Sequence, residues 1–179
     1  MWYSDDGQSY KVSQQSLPKM DEAQLVELPN GDVMANMRNN HANPKCPCRA
    51  IAVSQDGGVS WGGISFDSQL PEPVCMASII RSDDSFYFSN PGTAHGRVNG
   101  TVLQSLDGAK TWKRLVTVNP GGNFGYSCLS ETSDDGTLGL LWETDADGCA
   151  ANDASCRVVF SPIPVPGKQK ADFKVRRHV

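Results

Sequence analysis

The feature that most constrains the fold is a short pattern that recurs three times along the chain. Each copy places a serine two residues before an aspartate, follows it with a glycine, and ends on a serine or threonine and then an aromatic residue. The copies occupy residues 4–10, 54–61 and 105–112, so they begin roughly fifty residues apart. Aspartate accepts hydrogen bonds from nearby backbone N–H groups and glycine adopts positive φ, so each copy predicts a tight turn with the aromatic ring packed beneath it. A repeat of this length is typical of β-propeller blades, and 179 residues allow three to four of them.

Short apolar runs separated by turn signals fill the segments between the copies, as expected for an all-β protein. The clearest hairpin turn is Pro29-Asn30-Gly31-Asp32, because Asn-Gly favours the tight turns that join antiparallel strands. No segment has the period of an amphipathic helix. We predict strands at residues 24–28, 33–38, 49–54, 75–80, 85–89, 100–105, 126–130, 138–143 and 156–160.

Composition sets further bounds on the organisation and partners of the chain. Residues 1–161 are predicted to form a propeller portion, and residues 162–179 a flexible tail that is rich in proline and then basic. The net charge of −4 gives no indication of a nucleic acid or an acidic membrane surface as a partner. No apolar run has the length of a transmembrane segment. The first repeat begins at Ser4 and leaves no room for a signal peptide, so any targeting sequence is expected upstream.

The six cysteines are more than a cytosolic chain of this size needs, which favours an oxidising compartment. Cys149 and Cys156 flank a short loop and are predicted to form a disulfide across a hairpin. Cys46-Pro47-Cys48 could be a metal or redox pair, but zinc sites use wider spacing and a second ligand pair, so a structural role is favoured. Asn99-Gly100-Thr101 is a glycosylation sequon, relevant only to a secreted chain.

Five charged or aromatic residues stand at predicted strand ends and loops and are candidates for a functional site. Taken singly, each has an ordinary interpretation: an arginine in a loop is usually a solvated charge, and a tyrosine in a strand usually belongs to the core or the surface. Their order between the repeats is what makes a common site the better hypothesis. The five residues are Glu22, Arg38, Arg97, Tyr126 and Glu143.

Several segments resemble those of the exo-α-sialidases, whose Asp boxes are similar to the three repeats. The segment from Asp21 to Gly31 resembles the one that carries the catalytic glutamate of the family, which by position is Glu22. Met34-Ala35-Asn36-Met37-Arg38-Asn39 matches the second arginine of the family's arginine triad, so Arg38. Ser89-Asn90-Pro91 and the following Arg97-Val98-Asn99-Gly100-Thr101-Val102 match the third, so Arg97.

Two more segments extend the resemblance over about residues 1–161. Gly125-Tyr126-Ser127-Cys128-Leu129 resembles the stretch that holds the nucleophilic tyrosine, Tyr126. Leu140-Leu141-Trp142-Glu143 resembles the stretch whose glutamate orients an arginine of the triad through an ion pair, Glu143. Cys46-Pro47-Cys48-Arg49 is similar to a Cys-x-Cys-Arg of the lysosomal-type animal sialidases, which implies a lysosomal or extracellular location.

The resemblance implies a propeller that has six blades when complete, and hydrolysis of terminal sialic acid from glycoproteins, oligosaccharides or gangliosides. It implies no cofactor and no metal.

Arginine is always charged and binds a carboxylate such as that of sialic acid through paired hydrogen bonds. A neutral phenol approaches such a substrate without the repulsion that a carboxylate nucleophile would meet, and sialidases are a tyrosine exception to the two-carboxylate scheme of glycosidases. Because the pKa of a phenol is about 10, Tyr126 needs a base, the role implied for Glu22.

Two parts of the family pattern have no counterpart in the sequence: the Arg-Ile-Pro segment with the first triad arginine, and the aspartate that acts as acid and base. The chain therefore resembles the C-terminal half of a sialidase. We expect little or no hydrolysis by the chain alone, and either self-association or a missing N-terminal half. The alternative is a non-catalytic propeller module that binds sialoglycans or a protein partner, which would need the arginines but not an activated tyrosine.

Overall fold

The computed structural model describes residues 1–40, 42–132, 136–145 and 156–167. These residues form strands, turns and bends without a helix, so the predicted all-β class is confirmed. None of them forms a helix long and apolar enough to cross a membrane. The strands are β1 (Trp2–Tyr3), β2 (Lys11–Val12), β3 (Ala23–Glu27), β4 (Val33–Met37), β5 (Cys48–Ser54), β6 (Ser65–Pro71), β7 (Ser78–Ser82), β8 (Ser85–Pro91), β9 (Gly100–Ser105), β10 (Lys113–Thr117), β11 (Ser127–Glu131), β12 (Thr137–Thr144) and β13 (Arg157–Pro164).

The strands are arranged in successive antiparallel sheets in which each strand pairs with the next one along the chain. β1 and β2 form a ribbon, β3 to β6 and β7 to β10 form two four-stranded sheets, and β11 to β13 form a three-stranded sheet. Adjacent strands joined by short turns lose little entropy on pairing, which favours this meander over crossovers. The result is the blade-after-blade order of a propeller.

The hydrophobic core lies between successive sheets rather than within one of them. Phe86 and Phe88 of the second four-stranded sheet pack with Met34 and Val26 of the first. The other face of the second sheet, with Tyr87 and its neighbours, packs against the three-stranded sheet. Because alternate residues of a strand point to opposite faces, β8 can serve both layers, and all seven of its residues are buried. The second layer contains Tyr87, Val102, Phe124, Leu129, Leu138, Leu140, Trp142, Ile163 and Val165.

The three repeats form the predicted turns, and their aspartates hold them closed. Asp107 accepts hydrogen bonds from the backbone N–H of Thr111 at 2.9 Å and from its hydroxyl at 2.6 Å. Asp56 contacts Ser60 in the same way. At the position of Gly58, whose φ is +93°, the third repeat carries Ala109 with a φ of +64°. The hydrogen-bonded aspartate therefore maintains the left-handed turn even where glycine is replaced.

The prediction that an aromatic ring packs beneath each turn is correct for Trp61 but wrong for Tyr10. Trp61 is 6% exposed, whereas Tyr10 is 61% exposed. In the first repeat Asp6 accepts from the N–H groups of Gln8 and Ser9, so the loop after the aspartate is one residue shorter than in the second repeat. The shorter loop changes the direction in which the aromatic side chain leaves the turn.

The repeat aspartates should make the fold sensitive to acid. Hydrogen bonds from the hydroxyl and N–H of Thr111 lower the pKa of Asp107, so its stabilising contribution is complete above about pH 4 and is lost as the pH falls towards the folded-state pKa. We expect Asp107→Asn to lower the Tm at pH 6 by roughly 3–10 °C. The Tm of the variant should also fall less steeply than that of the wild type below about pH 4. Parallel curves of Tm against pH for the two proteins would contradict this prediction, and Asp84→Asn, at a fully exposed position, is the control.

Four strands were not predicted from the sequence: β1, β2, β6 and β10. The last two are the outermost strands of the four-stranded sheets and have few apolar residues, because an edge strand packs on fewer neighbours than a central one. β13 continues to Pro164, past the predicted boundary at residue 161, since Ile163 and Val165 are buried in the core. Of the predicted cysteine pairs, only one can be compared with the structure. Cys46 and Cys48 form a disulfide with each other, in agreement with a structural role. The predicted Cys149–Cys156 disulfide cannot be described, because Cys149 lies outside the described residues. Most of the predicted tail also lies outside them.

Candidate active site

The β3–β4 hairpin places Glu22 and Arg38 opposite each other. Ala23 pairs with Met37 in the antiparallel register, and the ladder continues one step further because the N–H of Arg38 donates to the carbonyl of Glu22 at 3.0 Å. Arg38 Nη1 donates to both carboxylate oxygens of Glu22, at 3.1 and 2.9 Å. The Asn-Gly turn at the far end of the hairpin sets this register.

Tyr126 reaches the same place from the three-stranded sheet. It directly precedes β11, and its backbone carbonyl accepts from the N–H of Glu143 at 2.9 Å. Its hydroxyl donates to Glu22 Oε1, although the two residues are 104 positions apart in the sequence. Arg38 Nη1 lies 3.4 Å from the same hydroxyl. The phenol, the carboxylate and the guanidinium are therefore in mutual contact.

Arg97 completes the cluster from the loop between β8 and β9. Its guanidinium carbon lies 5.4 Å from the centroid of the Tyr126 ring, and its Nη2 donates to the carbonyl of Val74 at 3.0 Å. Its own carbonyl accepts from the N–H of Phe124 at 2.7 Å, which ties the loop to the segment that leads into Tyr126. Four of the five candidate residues thus meet at one end of the sheets.

Glu143 lies beside the cluster, and its contact differs from the predicted one. The sequence predicts an ion pair with an arginine. Within the described residues no ion pair includes Glu143, and its Oε2 instead accepts from the backbone N–H of Tyr126 at 3.1 Å. The contact supports the backbone of the tyrosine rather than the rotamer of an arginine.

The local charges favour a protonated tyrosine beside an ionised glutamate. Burial opposes ionisation of Glu22, but the hydrogen bond from Tyr126 and the charge of Arg38 outweigh it and lower the pKa of Glu22. The hydrogen bond to the Glu22 carboxylate, together with burial, raises the pKa of Tyr126. Burial alone would lower the pKa of Arg38, but the Glu22 carboxylate raises it overall. The resting site is therefore a neutral phenol with a charged base at hydrogen-bonding distance.

The cluster has the groups needed to bind an anion and to activate a nucleophile. Arg38 Nε is buried and has no hydrogen-bond partner among the described residues, so part of its donor capacity is not used by the protein. The guanidinium of Arg97 lies over the ring of Tyr126. Guanidinium groups favour carboxylate or phosphate ligands. In the part of the chain that the structure describes, no three histidine, cysteine, aspartate or glutamate side chains are placed to hold a metal ion.

A network of buried polar residues beneath the cluster was not predicted from the sequence. Arg49 is fully buried, and its guanidinium donates to the side-chain oxygen of Asn36 at 2.6 Å and to the carbonyl of Cys75 at 2.9 Å. Burial lowers the pKa of Arg49 to about 10, against the opposing effect of the Glu72 carboxylate. Glu72 is 2% exposed. The sequence signal that could have identified Glu72 is its position between Pro71 and Pro73, because two prolines restrict the backbone on both sides of a residue.

The sequence is similar to known families over most of its length. The model of the BNR repeat-like domain matches residues 1–140. A sialidase from Bacteroides fragilis is 38% identical over 155 residues, which cover 80% of this chain and 28% of that protein. A sialidase from Micromonospora viridifaciens is 36% identical over 152 residues, which cover 79% of this chain and 23% of that protein. The chain therefore spans about a quarter of the length of these curated relatives.

The fold is similar to that of solved sialidases. The Hadza microbial sialidase Hz136 superposes with a TM-score of 0.74 at 31% sequence identity, and the match covers 92% of this chain and 31% of that chain. The prediction of sheets arranged as in a sialidase propeller is confirmed by this likeness.

Proposed function

Because the chain belongs to the sialidase family of BNR repeat-like proteins, we propose that it provides the nucleophile and its base for an exo-α-sialidase. The reaction is hydrolysis of terminal sialic acid with retention of configuration. The observation that carries the proposal is the hydrogen bond from the Tyr126 hydroxyl to the Glu22 carboxylate, with one guanidinium group at the hydroxyl and another over the tyrosine ring. A site that only binds sialoglycans needs the arginines but has no use for a phenol paired with a base.

The substrate carboxylate is assigned to the two arginines. A sialic acid carries this group on its anomeric carbon, so arginines that bind it would also place that carbon close to Tyr126. Arg38 and Arg97 both contact the tyrosine, one at its hydroxyl and the other over its ring. Glu143 holds the backbone of Tyr126 and serves to position the nucleophile.

The chemistry follows from the protonation states of the pair. Tyr126 Oη attacks the anomeric carbon, its proton passes to Glu22, and the bond to the leaving-group oxygen breaks. That oxygen takes its proton from a separate acid, the role that the resemblance gives to an aspartate without a counterpart in this sequence. Water then attacks the anomeric carbon of the tyrosyl intermediate and gives its proton to the conjugate base of that separate acid, and Tyr126 leaves as the proton returns from Glu22. Two inversions give net retention.

The test is release of the fluorophore from a fluorogenic α-sialoside by the chain joined to the N-terminal half of a sialidase, which supplies the missing acid and first arginine, as the wild type and as Tyr126→Phe. If Tyr126 is the nucleophile, we expect the variant to lose at least about a thousandfold in kcat, because the phenylalanine ring keeps the packing but has no oxygen to attack. The control is Tyr10→Phe, which removes the hydroxyl of an exposed tyrosine in the first repeat turn.

The outcomes separate the enzyme from its alternative. Equal activity of the wild type and Tyr126→Phe would exclude the tyrosyl mechanism. Binding of the sialoside without release of fluorophore by any variant would favour the non-catalytic sialoglycan-binding module. Hydrolysis by the wild type and by Tyr10→Phe, but not by Tyr126→Phe, would support the proposal.

We further propose sialylated glycoproteins, oligosaccharides or gangliosides as substrates, and a lysosomal or extracellular location. The disulfide between Cys46 and Cys48 supports an oxidising compartment, since such bonds are rare where glutathione keeps thiols reduced. The Cys-x-Cys-Arg segment with this disulfide is also the basis for proposing a relation to the lysosomal-type animal sialidases.

A further inference from the structure

We propose that Glu72 is a positioning residue that sets the geometry of both substrate-binding arginines through a single buried carboxylate. The inference rests on the proposed function of Arg38 and Arg97. It concerns a residue that touches neither arginine side chain and acts through the backbone next to each of them. Two independent contacts, one from each carboxylate oxygen, carry it.

The first contact supports the backbone of Arg38. Glu72 Oε2 accepts from the backbone N–H of Asn39 at 2.8 Å, and Asn39 directly follows Arg38 where the chain leaves β4. On the other side of Arg38, its N–H and carbonyl pair with Glu22 and Asp21 of the neighbouring strand. The side chain of Asn39 in turn donates to the carbonyls of Cys46 and Cys48. Glu72 thus holds the one side of the Arg38 backbone that the β-ladder does not.

The second contact supports Arg97. Glu72 Oε1 accepts from the N–H of Cys75 at 2.7 Å, which closes a turn of three residues. Within this turn Val74 has a φ of +57°, a conformation that is rare for a β-branched residue and persists only where the surroundings enforce it. The carbonyl of Val74 is the acceptor for Arg97 Nη2. The carboxylate therefore stabilises the conformation that presents this carbonyl to the arginine.

A carboxylate suits this place better than any neutral side chain. Both N–H groups lie next to a residue that is 2% exposed, so water cannot readily replace a lost acceptor. An ionised carboxylate offers two acceptor oxygens, whereas an amide offers one acceptor and one donor. The buried guanidinium of Arg49 supplies the compensating charge, and it also donates to the carbonyl of Cys75. Glutamine at position 72 would therefore turn one of its two contacts into a donor facing a donor.

The experiment compares how the chain binds a hydrolysis-resistant α-thiosialoside and the methyl ester of the same compound. Only the free acid carries the carboxylate that the arginines bind, so the ratio of the two Kd values measures arginine geometry. Loss of folded protein lowers both affinities equally and leaves the ratio unchanged. We expect Glu72→Gln to weaken binding of the acid about tenfold and to leave binding of the ester within about twofold of the wild-type value.

Two further variants keep the test decisive. Glu72→Asp retains the charge but is one methylene shorter and cannot reach both N–H groups, so it should also weaken binding of the acid. This variant serves as the test if Glu72→Gln fails to fold. Ser13→Ala removes a buried hydroxyl that bonds Gly58 and Trp61 at the second repeat turn, at the opposite ends of the strands from the site. It should lower the Tm and leave the ratio of acid to ester affinity unchanged.

The outcomes distinguish the inference from the proposed function. If the wild type prefers the acid and the folded Glu72 variants show the same preference, Glu72 has no positioning role and the proposed function stands. If the wild type binds the acid and the ester equally, the arginines do not bind the carboxylate, and the proposed function and the inference both fail. A reduced preference in the Glu72 variants, with an unchanged preference in Ser13→Ala, supports the inference.

Discussion

Replacing Glu22 by glutamine should reduce turnover of an α-sialoside by about a thousandfold, because the variant keeps the size of the side chain but loses the base that accepts the tyrosine proton. The amide can still contact Tyr126 and Arg38, so binding should change much less than kcat. The loss should therefore appear in kcat and in kcat/KM together, with little change in KM. Steady-state kinetics of the wild type and Glu22→Gln, each joined to the same N-terminal half of a sialidase, measure this directly. A variant with nearly wild-type kcat would exclude Glu22 as the base.

The same substitution has a consequence that can be measured without turnover. The Glu22 carboxylate is the main reason that the pKa of Tyr126 is raised, and Arg38 and Arg97 act in the opposite direction. In Glu22→Gln the tyrosine should therefore ionise at lower pH than in the wild type. Ultraviolet absorbance of tyrosinate as a function of pH reports this shift, and the signal is assigned to Tyr126 by its absence in Tyr126→Phe. Glu27→Gln, at the other end of β3, is the matched control and should leave the titration unchanged.

The sequence predicts those parts of the fold and site that depend on local rules. The Asn-Gly turn predicts the β3–β4 hairpin, and the length of its strands brings Glu22 and Arg38 into register. The repeats predict successive sheets along the chain, because each repeat joins two neighbouring strands of one antiparallel sheet. That Tyr126 meets Glu22 could be inferred only from the resemblance, since the contact joins two different sheets and no local pattern encodes it.

The remaining features depend on contacts between distant segments. The buried network of Arg49 and Glu72 looks in the sequence like two ordinary charged residues, and only contacts with distant segments, such as those to Asn36 and Cys75, remove them from water. The contact of Glu143 with the backbone of Tyr126 depends on the register of β11 and β12, which places the two residues one step beyond the pair Ser127 and Trp142. The ion pair with an arginine was predicted from the resemblance of the segment, and no local pattern in the sequence indicated the backbone contact.

The repeats and the site also occupy opposite ends of the strands. β5 begins at Cys48 beside the site and ends at Ser54, where the second repeat turn starts, and β9 runs in the same way from Gly100 to Ser105. The most recognisable sequence motif therefore marks the scaffold and not the chemistry. Substitutions in a repeat turn should change stability with little effect on ligand preference, whereas substitutions at the other ends should do the reverse. This separation makes Ser13→Ala a fair control for Glu72→Gln.

Gly100→Ala is expected to be the most destabilising small substitution at the site end of the strands. A Cβ on Gly100 would lie 1.9 Å from Cδ2 of Phe124, far inside van der Waals contact, and Phe124 is fully buried and stacked on Trp142 with the ring centroids 5.2 Å apart. The ring cannot move away without displacing the core between the second four-stranded sheet and the three-stranded sheet. Such overpacking should cost about 3 kcal/mol and lower the Tm by roughly 6–12 °C.

The matched control is Gly63→Ala, because a Cβ there meets no atom within 4 Å and the backbone is not in the left-handed region. The Tm of Gly100→Ala should lie below that of Gly63→Ala by most of the predicted shift, and similar Tm values would contradict the packing argument.

Gly100 also affects the site through Phe124, since the N–H of Phe124 donates to the carbonyl of Arg97. Displacement of Phe124 should therefore weaken binding of the α-thiosialoside acid more than of its ester, even in the fraction of Gly100→Ala that remains folded. A glycine that the sequence presents as the middle of a glycosylation sequon is in this structure the residue that allows the aromatic core to lie directly behind Arg97.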